Sequence, residues 1–265
     1  LESLKERVFS FLTEIIEKNK DKIIDIVEFR ADYYENLNDF NELSKVLKSV
    51  HASLKAEGIK LLFTIRSERE GGEKLSFSKP CINDINLYVV TNKLADYVDV
   101  EFLSEKETAA RVIKKAKEKD VKIIASSHDF THTPSVDEMV ERYKSMQGTG
   151  ADIIKLAVMP EDSDDVDKLI NAVSIIYNEY TDIHVVGICH LLSSSLTVDR
   201  LTDQSVHQFT ETDTALFPEI ESQRPRNGID LIDIDRIGIA VDQKINTADA
   251  AGAQCHKRFQ RQILD

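Results

Sequence analysis

Short runs of β-branched and other apolar residues alternate along the chain with longer stretches in which apolar positions recur at helical spacing. The runs are Ile23-Ile24-Asp25-Ile26-Val27-Glu28, Leu61-Leu62-Phe63-Thr64-Ile65-Arg66, Tyr97-Val98-Asp99-Val100-Glu101, Val121-Lys122-Ile123-Ile124-Ala125-Ser126, Ile153-Ile154-Lys155-Leu156-Ala157-Val158 and His184-Val185-Val186-Gly187-Ile188. Strand-like runs separated by helical periods are the signature of a parallel sheet assembled from βα units. Six strands are predicted on this ground.

Between the runs, Phe40, Leu43, Leu47 and Val50 mark one face of a helix, and Val166, Leu169, Ile170 and Val173 mark another. Ser135 precedes Glu138 at capping-box spacing, ahead of Met139, Val140 and Tyr143, which predicts a helix start there. Leu4, Val8, Phe11, Leu12 and Ile15 make the opening segment amphipathic, so the chain is expected to begin on a helix with no strand before it. Near Gly187 the texture changes. Lysine is frequent before it and Gln147 is the lone glutamine there. Beyond it come Gln204, Gln208, Gln223, Gln243, Gln254, Gln260 and Gln262, with only Lys244 and Lys257. Within that tail Ile229-Asp230-Leu231-Ile232-Asp233-Ile234 reads as a strand and the remaining periodicity is weak. The expected organisation is one domain over residues 1–265, with regular βα units to residue 188 and an atypical segment over 189–265.

A length of 265 residues suits a single α/β barrel, for which about 250 residues is ordinary. The formal net charge of −13 argues against a broad electrostatic grip on nucleic acid or anionic lipid. A small anionic substrate remains compatible with it, because a few arginines inside a cleft bind a carboxylate whatever the overall charge. Cys81, Cys189 and Cys255 are odd in number and lack CxxC spacing, which points to a reducing cytoplasmic setting rather than a disulfide framework. No apolar run reaches membrane-spanning length, and Leu1-Glu2-Ser3-Leu4-Lys5-Glu6-Arg7 reads as a charged helix opening rather than a signal sequence. A soluble protein is expected, and self-association as a homodimer is left open.

In parallel α/β folds the ligand sits at the carboxyl ends of the strands. Here those ends carry Glu28 and Arg30, Arg66, Glu101, His128 with Asp129, and Lys155. Lys155 lies within an apolar strand, where removal from water disfavours an ammonium and leaves an amine able to attack a ketone. A lysine that snorkels or pairs with a carboxylate at a strand end is the bland alternative. His128 closes its strand, and an imidazole there can take a carbon-bound proton and hand one to a leaving hydroxyl. A hydrogen-bonded structural histidine is the competing reading, and His132 reads as a loop residue. In Arg66-Ser67-Glu68-Arg69-Glu70-Gly71-Gly72-Glu73 the glycine pair permits a sharp turn that folds Glu70 back to orient His128, against the alternative of a solvated loop. No His-x-x-x-His or Cys/His spacing makes a credible metal site and no GxGxxG is present, so no metal and no dinucleotide is expected.

Taken together, Glu28-Phe29-Arg30-Ala31-Asp32, the segment from Phe63 to Gly72, Asp99-Val100-Glu101, Ser127-His128-Asp129-Phe130-x-x-Thr133-Pro134 and Lys155-Leu156-Ala157-Val158-Met159-Pro160 resemble, in order and spacing, the motifs of type I 3-dehydroquinate dehydratases. The resemblance covers roughly residues 20 to 188. It implies a (β/α)8 TIM barrel, no metal or organic cofactor, and dehydration of 3-dehydroquinate to 3-dehydroshikimate in the shikimate route to aromatic compounds. On the matching positions it implies that Lys155 forms an imine with the substrate ketone, that His128 moves the protons and that Glu70 holds the imidazole. Glu28, Arg30 and Arg66 would bind the substrate's hydroxyl and carbonyl region.

After residue 188 the family pattern is lost: no Ser-Met-Ser-like segment and no Pro-Gly-Gln-like closing loop follows, and Arg200 is a displaced candidate for the carboxylate-binding arginine. The barrel is therefore expected to be incomplete at its N-terminal strand and in its C-terminal part, and the tail to derive from a shifted reading frame or another source. Two further readings stand beside an active dehydratase. A Schiff-base aldolase would show a phosphate cradle near the last strands, and none is readable. A degenerate barrel would keep the reactive residues yet lack a functional lid and expose unpaired strand edges.

Overall fold

Residues 25–191 and the strand 237–243, together with Thr13, are described by the computed structural model. They form two compact units, the first holding residues 25–126 with Gly148–Asp152, the second residues 127–147, 153–191 and 237–243.

In the first unit, β-branched runs and amphipathic helices alternate as the pattern predicts: β1 (Ile26–Arg30), α1 (Phe40–Ala56), β2 (Lys60–Thr64), α2 (Ile82–Thr91), β3 (Tyr97–Glu101), α3 (Lys106–Lys119) and β4 (Lys122–His128) as far as Ser126. Asp39 starts α1 by accepting hydrogen bonds from the backbone N–H groups of Asn41 and Glu42 at 2.9 and 3.1 Å, satisfying donors that a helix start leaves without partners. The helix then buries Leu43, Val46, Leu47, Val50 and Leu54. Each such side chain stabilises the fold by roughly 1.5–3 kcal/mol, and Leu47→Ala would open a cavity in the middle of that stripe.

The pairs β1/β2, β2/β3 and β3/β4 are all parallel. Their register matches Arg30 with Thr64, Leu62 with Tyr97, Asp99 with Ile124, and Glu101 with Ser126. Register partners share a face, as do alternate residues along one strand. Glu28, Arg30, Thr64, Asp99, Glu101 and Ser126 therefore lie on one face of this sheet. The other face carries Val27, Leu61, Phe63, Val98, Val100, Ile123 and Ala125, all buried, with Phe29 stacked on Phe63 at 6.3 Å between centroids.

The second unit takes the end of β4 and continues with α4 (Val136–Gln147), β5 (Ile153–Val158), α5 (Ser163–Glu179), β6 (His184–Leu191) and β7 (Ile237–Gln243). The pairs β5/β6 and β6/β7 are parallel, with Lys155 opposite Val186 and Leu156 opposite Gly187. Gly187 shows which face the helices cover. A Cβ built there would meet Val173 Cγ2 at 2.9 Å and Leu169 Cδ2 at 3.3 Å, both on α5. Leu156 shares the face of Gly187, so Lys155, its neighbour along β5, faces away from α5. Ser135 Oγ accepts from Glu138 N at 3.3 Å, as the capping-box spacing predicts for the start of α4.

Several boundaries differ from the sequence reading. β2 stops at Thr64 rather than Arg66, because the Arg66 N–H leaves the ladder and donates to Asp32 Oδ1 at 3.3 Å. β1 runs two residues past Glu28, and β4 and β6 extend beyond Ser126 and Ile188. On α5 the buried stripe is Leu169, Ala172, Val173 and Ile176, with Val166 and Ile170 only half-buried. β7 was not among the predicted strands. The opening helix, the 229–234 strand and Arg200 lie outside the described residues.

Candidate active site

Three of the residues singled out in the sequence sit in the first unit on a network of buried charge. Arg66, only 4% exposed, follows β2. Its Nη1 donates to Glu101 Oε1 and to Ser126 Oγ, each at 3.1 Å. Its Nη2 forms an ion pair with Asp99 Oδ1 at 3.0 Å, and Glu70 Oε2 stands 3.7 Å from Nη1. Ser126 Oγ in turn donates to Asp99 Oδ1, and Glu101 Oε1 also accepts the backbone N–H of Ser67 at 2.7 Å. Burial opposes the guanidinium charge, but Asp99, Glu101 and Glu70 outweigh it and hold Arg66 above its ordinary pKa. This cation stays charged at any pH the protein meets.

Arg30 is tied differently. Its Nε and Nη2 form a fork on Asp32, at 2.8 Å to Oδ1 and 2.6 Å to Oδ2, the bidentate geometry that a planar guanidinium favours. Burial again works against its charge, and the hydrogen bonds and charge of Asp32 more than offset that, raising the pKa. The same Asp32 carboxylate accepts the backbone N–H of Arg66 and, at 3.2 Å, that of Glu73. One carboxylate thereby fixes a side chain from β1 and both ends of the loop that follows β2. Glu28 shares the face of Arg30, two residues earlier on β1.

That loop takes the turn expected of its glycines. Ser67 caps a short 3-10 turn over Glu68–Glu70, and Gly71 ends it in the left-handed region at φ 81°, where a side chain would be strained. Gly72 closes against the loop's start so tightly that a Cβ would lie 2.0 Å from the Arg66 carbonyl oxygen. Glu70 is folded back and buried, at 5% exposure, beside Arg66. A solvated loop is thereby ruled out for Glu70.

Lys155 and His128 belong to the second unit. Lys155 is 2% exposed on a strand whose six residues are all buried. His128 ends β4, with its ring stacked on Phe130 at 6.5 Å between centroids. Asp129 N donates to Ala157 O at 2.8 Å. In the parallel ladders of this protein an N–H reaches the carbonyl one residue before its register partner: Lys60 N donates to Asp25 O while pairing with Ile26. By that rule Asp129 pairs with Val158, and His128 lies opposite Ala157. Ala157 and Lys155 share a face, so the imidazole and the amine emerge on the same side, one pleat apart along the strands. Asp129 itself is engaged in its own loop. Its Oδ1 accepts from Thr131 N, Thr131 Oγ1 and His132 N, and its Oδ2 pairs with Arg142 at 3.3 Å.

Asp32, Asp99 and Ser126 were not among the candidate residues, yet they anchor Arg30 and Arg66. The signal for Asp99 was present: Asp99 and Glu101 are two apart on an otherwise apolar strand and so share a face. Among the described residues no three His, Cys, Asp or Glu side chains are grouped to hold a metal ion, and no helix is long and apolar enough to cross a membrane.

Residues 8–190 match the family model described as Type I 3-dehydroquinase. The chain is 41% identical over 170 residues to the 3-dehydroquinate dehydratase of Clostridium novyi, covering 64% of either chain, and 39% identical over 163 residues to that of Clostridioides difficile, covering 62% of this chain and 63% of the relative. It therefore spans a little under two thirds of the length of these curated relatives. Among solved structures it is similar to the 3-dehydroquinate dehydratase of Enterococcus faecalis, with 34% identity, a TM-score of 0.61 and coverage of 68% of this chain and 73% of that one. The type I enzyme from Clostridium difficile, solved with covalently modified comenic acid, is similar at 36% identity and a TM-score of 0.61, covering 67% of this chain and 69% of the other. The α/β fold class expected from the sequence is the one these structures share.

Proposed function

The chain belongs to the type I 3-dehydroquinase family, and from that membership we propose that it is a lyase that dehydrates 3-dehydroquinate to 3-dehydroshikimate through an imine on Lys155. The observation that carries this reading is the emergence of Lys155 and His128 on one face of the second unit, with the amine withdrawn from water on β5.

The Lys155 amine attacks the substrate's C3 ketone and expels water, forming a cationic imine. That cation withdraws electrons from the adjacent carbon, so His128 can remove the C2 proton and leave an enamine. Collapse of the enamine expels the C1 hydroxyl, to which His128 returns the proton. Water then hydrolyses the imine, releasing product and restoring the amine. Holding the imidazole beside the imine is a positioning task, assigned here to Glu70 by its place in the family motif. Glu28, Arg30 and Arg66 bind the substrate's hydroxyl and carbonyl region. The two arginines suit this role because buried carboxylates fix each guanidinium before a ligand arrives.

Turnover is tested by supplying 3-dehydroquinate and following formation of the conjugated product. His128→Ala should still permit imine formation at Lys155 while cutting turnover by about 100-fold or more, the usual weight of a general acid–base group. Normal turnover by that variant would remove His128 from the mechanism. An imine without turnover in the parent chain would mark it as an inactive member of the family.

A further inference from the structure

We infer that Ser126 and Asp99 are positioning residues for substrate binding, acting together through the guanidinium of Arg66. The inference rests on the reading of Arg66 as a substrate-binding residue.

A serine hydroxyl has one proton to give and lone pairs to receive. At Ser126 the proton goes to Asp99 Oδ1, which fixes the hydroxyl's rotation and turns a lone pair toward Arg66 Nη1, 3.1 Å away. The other Nη1 hydrogen goes to Glu101 Oε1, also at 3.1 Å. Asp99 holds the opposite corner of the guanidinium through Nη2 at 3.0 Å. Nη1 is thereby committed in full and Nη2 is held in place. Nε donates to none of the described residues, and it is the edge left to meet a ligand.

All four groups are buried: Ser126 at 0%, Asp99 at 1%, Arg66 at 4% and Glu101 at 7% exposure. Loss of the Ser126 hydroxyl strands one Nη1 hydrogen and removes the donor to Asp99. With that corner released, the guanidinium is no longer fixed and its Nε edge is no longer held toward the ligand. A buried donor left without an acceptor is costly, which favours a shift of the guanidinium. Lys155 and His128 are untouched, so the damage falls on binding rather than on chemistry.

The test is the steady-state kinetics of the full chain with 3-dehydroquinate for Ser126→Ala, Asp99→Asn and the double variant, with folding checked by circular dichroism. Ser126→Ala removes one buried atom from a strand residue and leaves the fold intact. Expected are a KM raised roughly tenfold by Ser126→Ala, about the worth of one charge-assisted hydrogen bond, and a kcat within about twofold of the parent. The double variant should raise KM no further than the worse single variant, because both residues act through one guanidinium. A KM unchanged in Ser126→Ala, a loss confined to kcat, or single effects that multiply in the double variant would each overturn the inference. A parent chain that forms no imine with 3-dehydroquinate would instead overturn the functional reading beneath it.

Discussion

Arg30 and Asp32 form a two-pronged ion pair in which Nε and Nη2 of the arginine donate to the two carboxylate oxygens at 2.8 and 2.6 Å. The same carboxylate holds the backbone N–H groups of Arg66 and Glu73. Truncation to Asp32→Ala leaves a largely buried guanidinium and two amides without their acceptor. Breaking a buried pair from one side costs about 3–5 kcal/mol, and the slight exposure of Arg30 places this pair near the lower end. A urea unfolding curve should show a loss of about 3 kcal/mol, and a smaller one for Asp32→Asn, which keeps an acceptor oxygen. Equal losses in the two variants would show that the lost charge of Asp32, rather than its hydrogen-bond acceptance, sets the cost.

Gly72 and Gly187 both lie where a side chain has no room, but their neighbours differ in what can yield. At Gly72 the obstacle is the backbone carbonyl of Arg66 at 2.0 Å, whereas at Gly187 it is the side chains of Val173 and Leu169. Gly72→Ala must move the loop itself and should cost about 2–3 kcal/mol, while Gly187→Ala should cost about 1 kcal/mol as α5 side chains adjust. Thermal unfolding of the two variants should rank them in that order, and the reverse order would contradict the loop geometry.

Asp129 gives the fold a dependence on acid. Burial raises its pKa, but hydrogen bonds from the Thr131 hydroxyl and from the backbone of Thr131 and His132 outweigh burial and hold it below the ordinary aspartate value. A carboxylate with a depressed folded pKa contributes stability that is fully present above its unfolded value of about 3.9 and is lost as pH falls through the folded value. Stability of the parent should therefore fall below about pH 4, and Asp129→Asn should flatten that part of the profile while lowering stability near neutrality. Identical slopes for the two proteins in the acid range would remove Asp129 from the account.

Thr64 is fully buried on the face that carries Arg30, and among the described residues its hydroxyl has no hydrogen-bond partner. A hydroxyl buried without a partner is a standing cost, so Thr64→Val should stabilise the chain by about 1 kcal/mol. A higher urea midpoint with an unchanged slope is the expected result. A lower midpoint would show that the hydroxyl is satisfied in solution.

Strands and helices were legible where the side chains themselves carry the signal. Runs such as Ile153–Val158 are β-branched and apolar, and the stripe Leu43, Leu47 and Val50 repeats at helical spacing. β7 was missed although Ile237, Ile239 and Val241 alternate, because Gly238, Asp242 and Gln243 dilute the run and its neighbours show little period. Strand ends were misplaced where a tertiary contact decides them, as when the Arg66 N–H turns to Asp32. The reactive residues could be named because their types and spacing are unusual for strands. Their anchors could not, since Ser126 is an ordinary strand residue until the register of β3 and β4 sets it beside Glu101 on the face that carries Asp99.

Trapping of the imine on Lys155 tests the central claim most directly. The chain is incubated with 3-dehydroquinate and borohydride, digested, and each peptide weighed by mass spectrometry. The account predicts a reduced adduct on the peptide containing Lys155, and none when Lys155→Ala is treated in the same way. A folded parent chain that acquires no adduct, or one that acquires it at another lysine, would contradict the account.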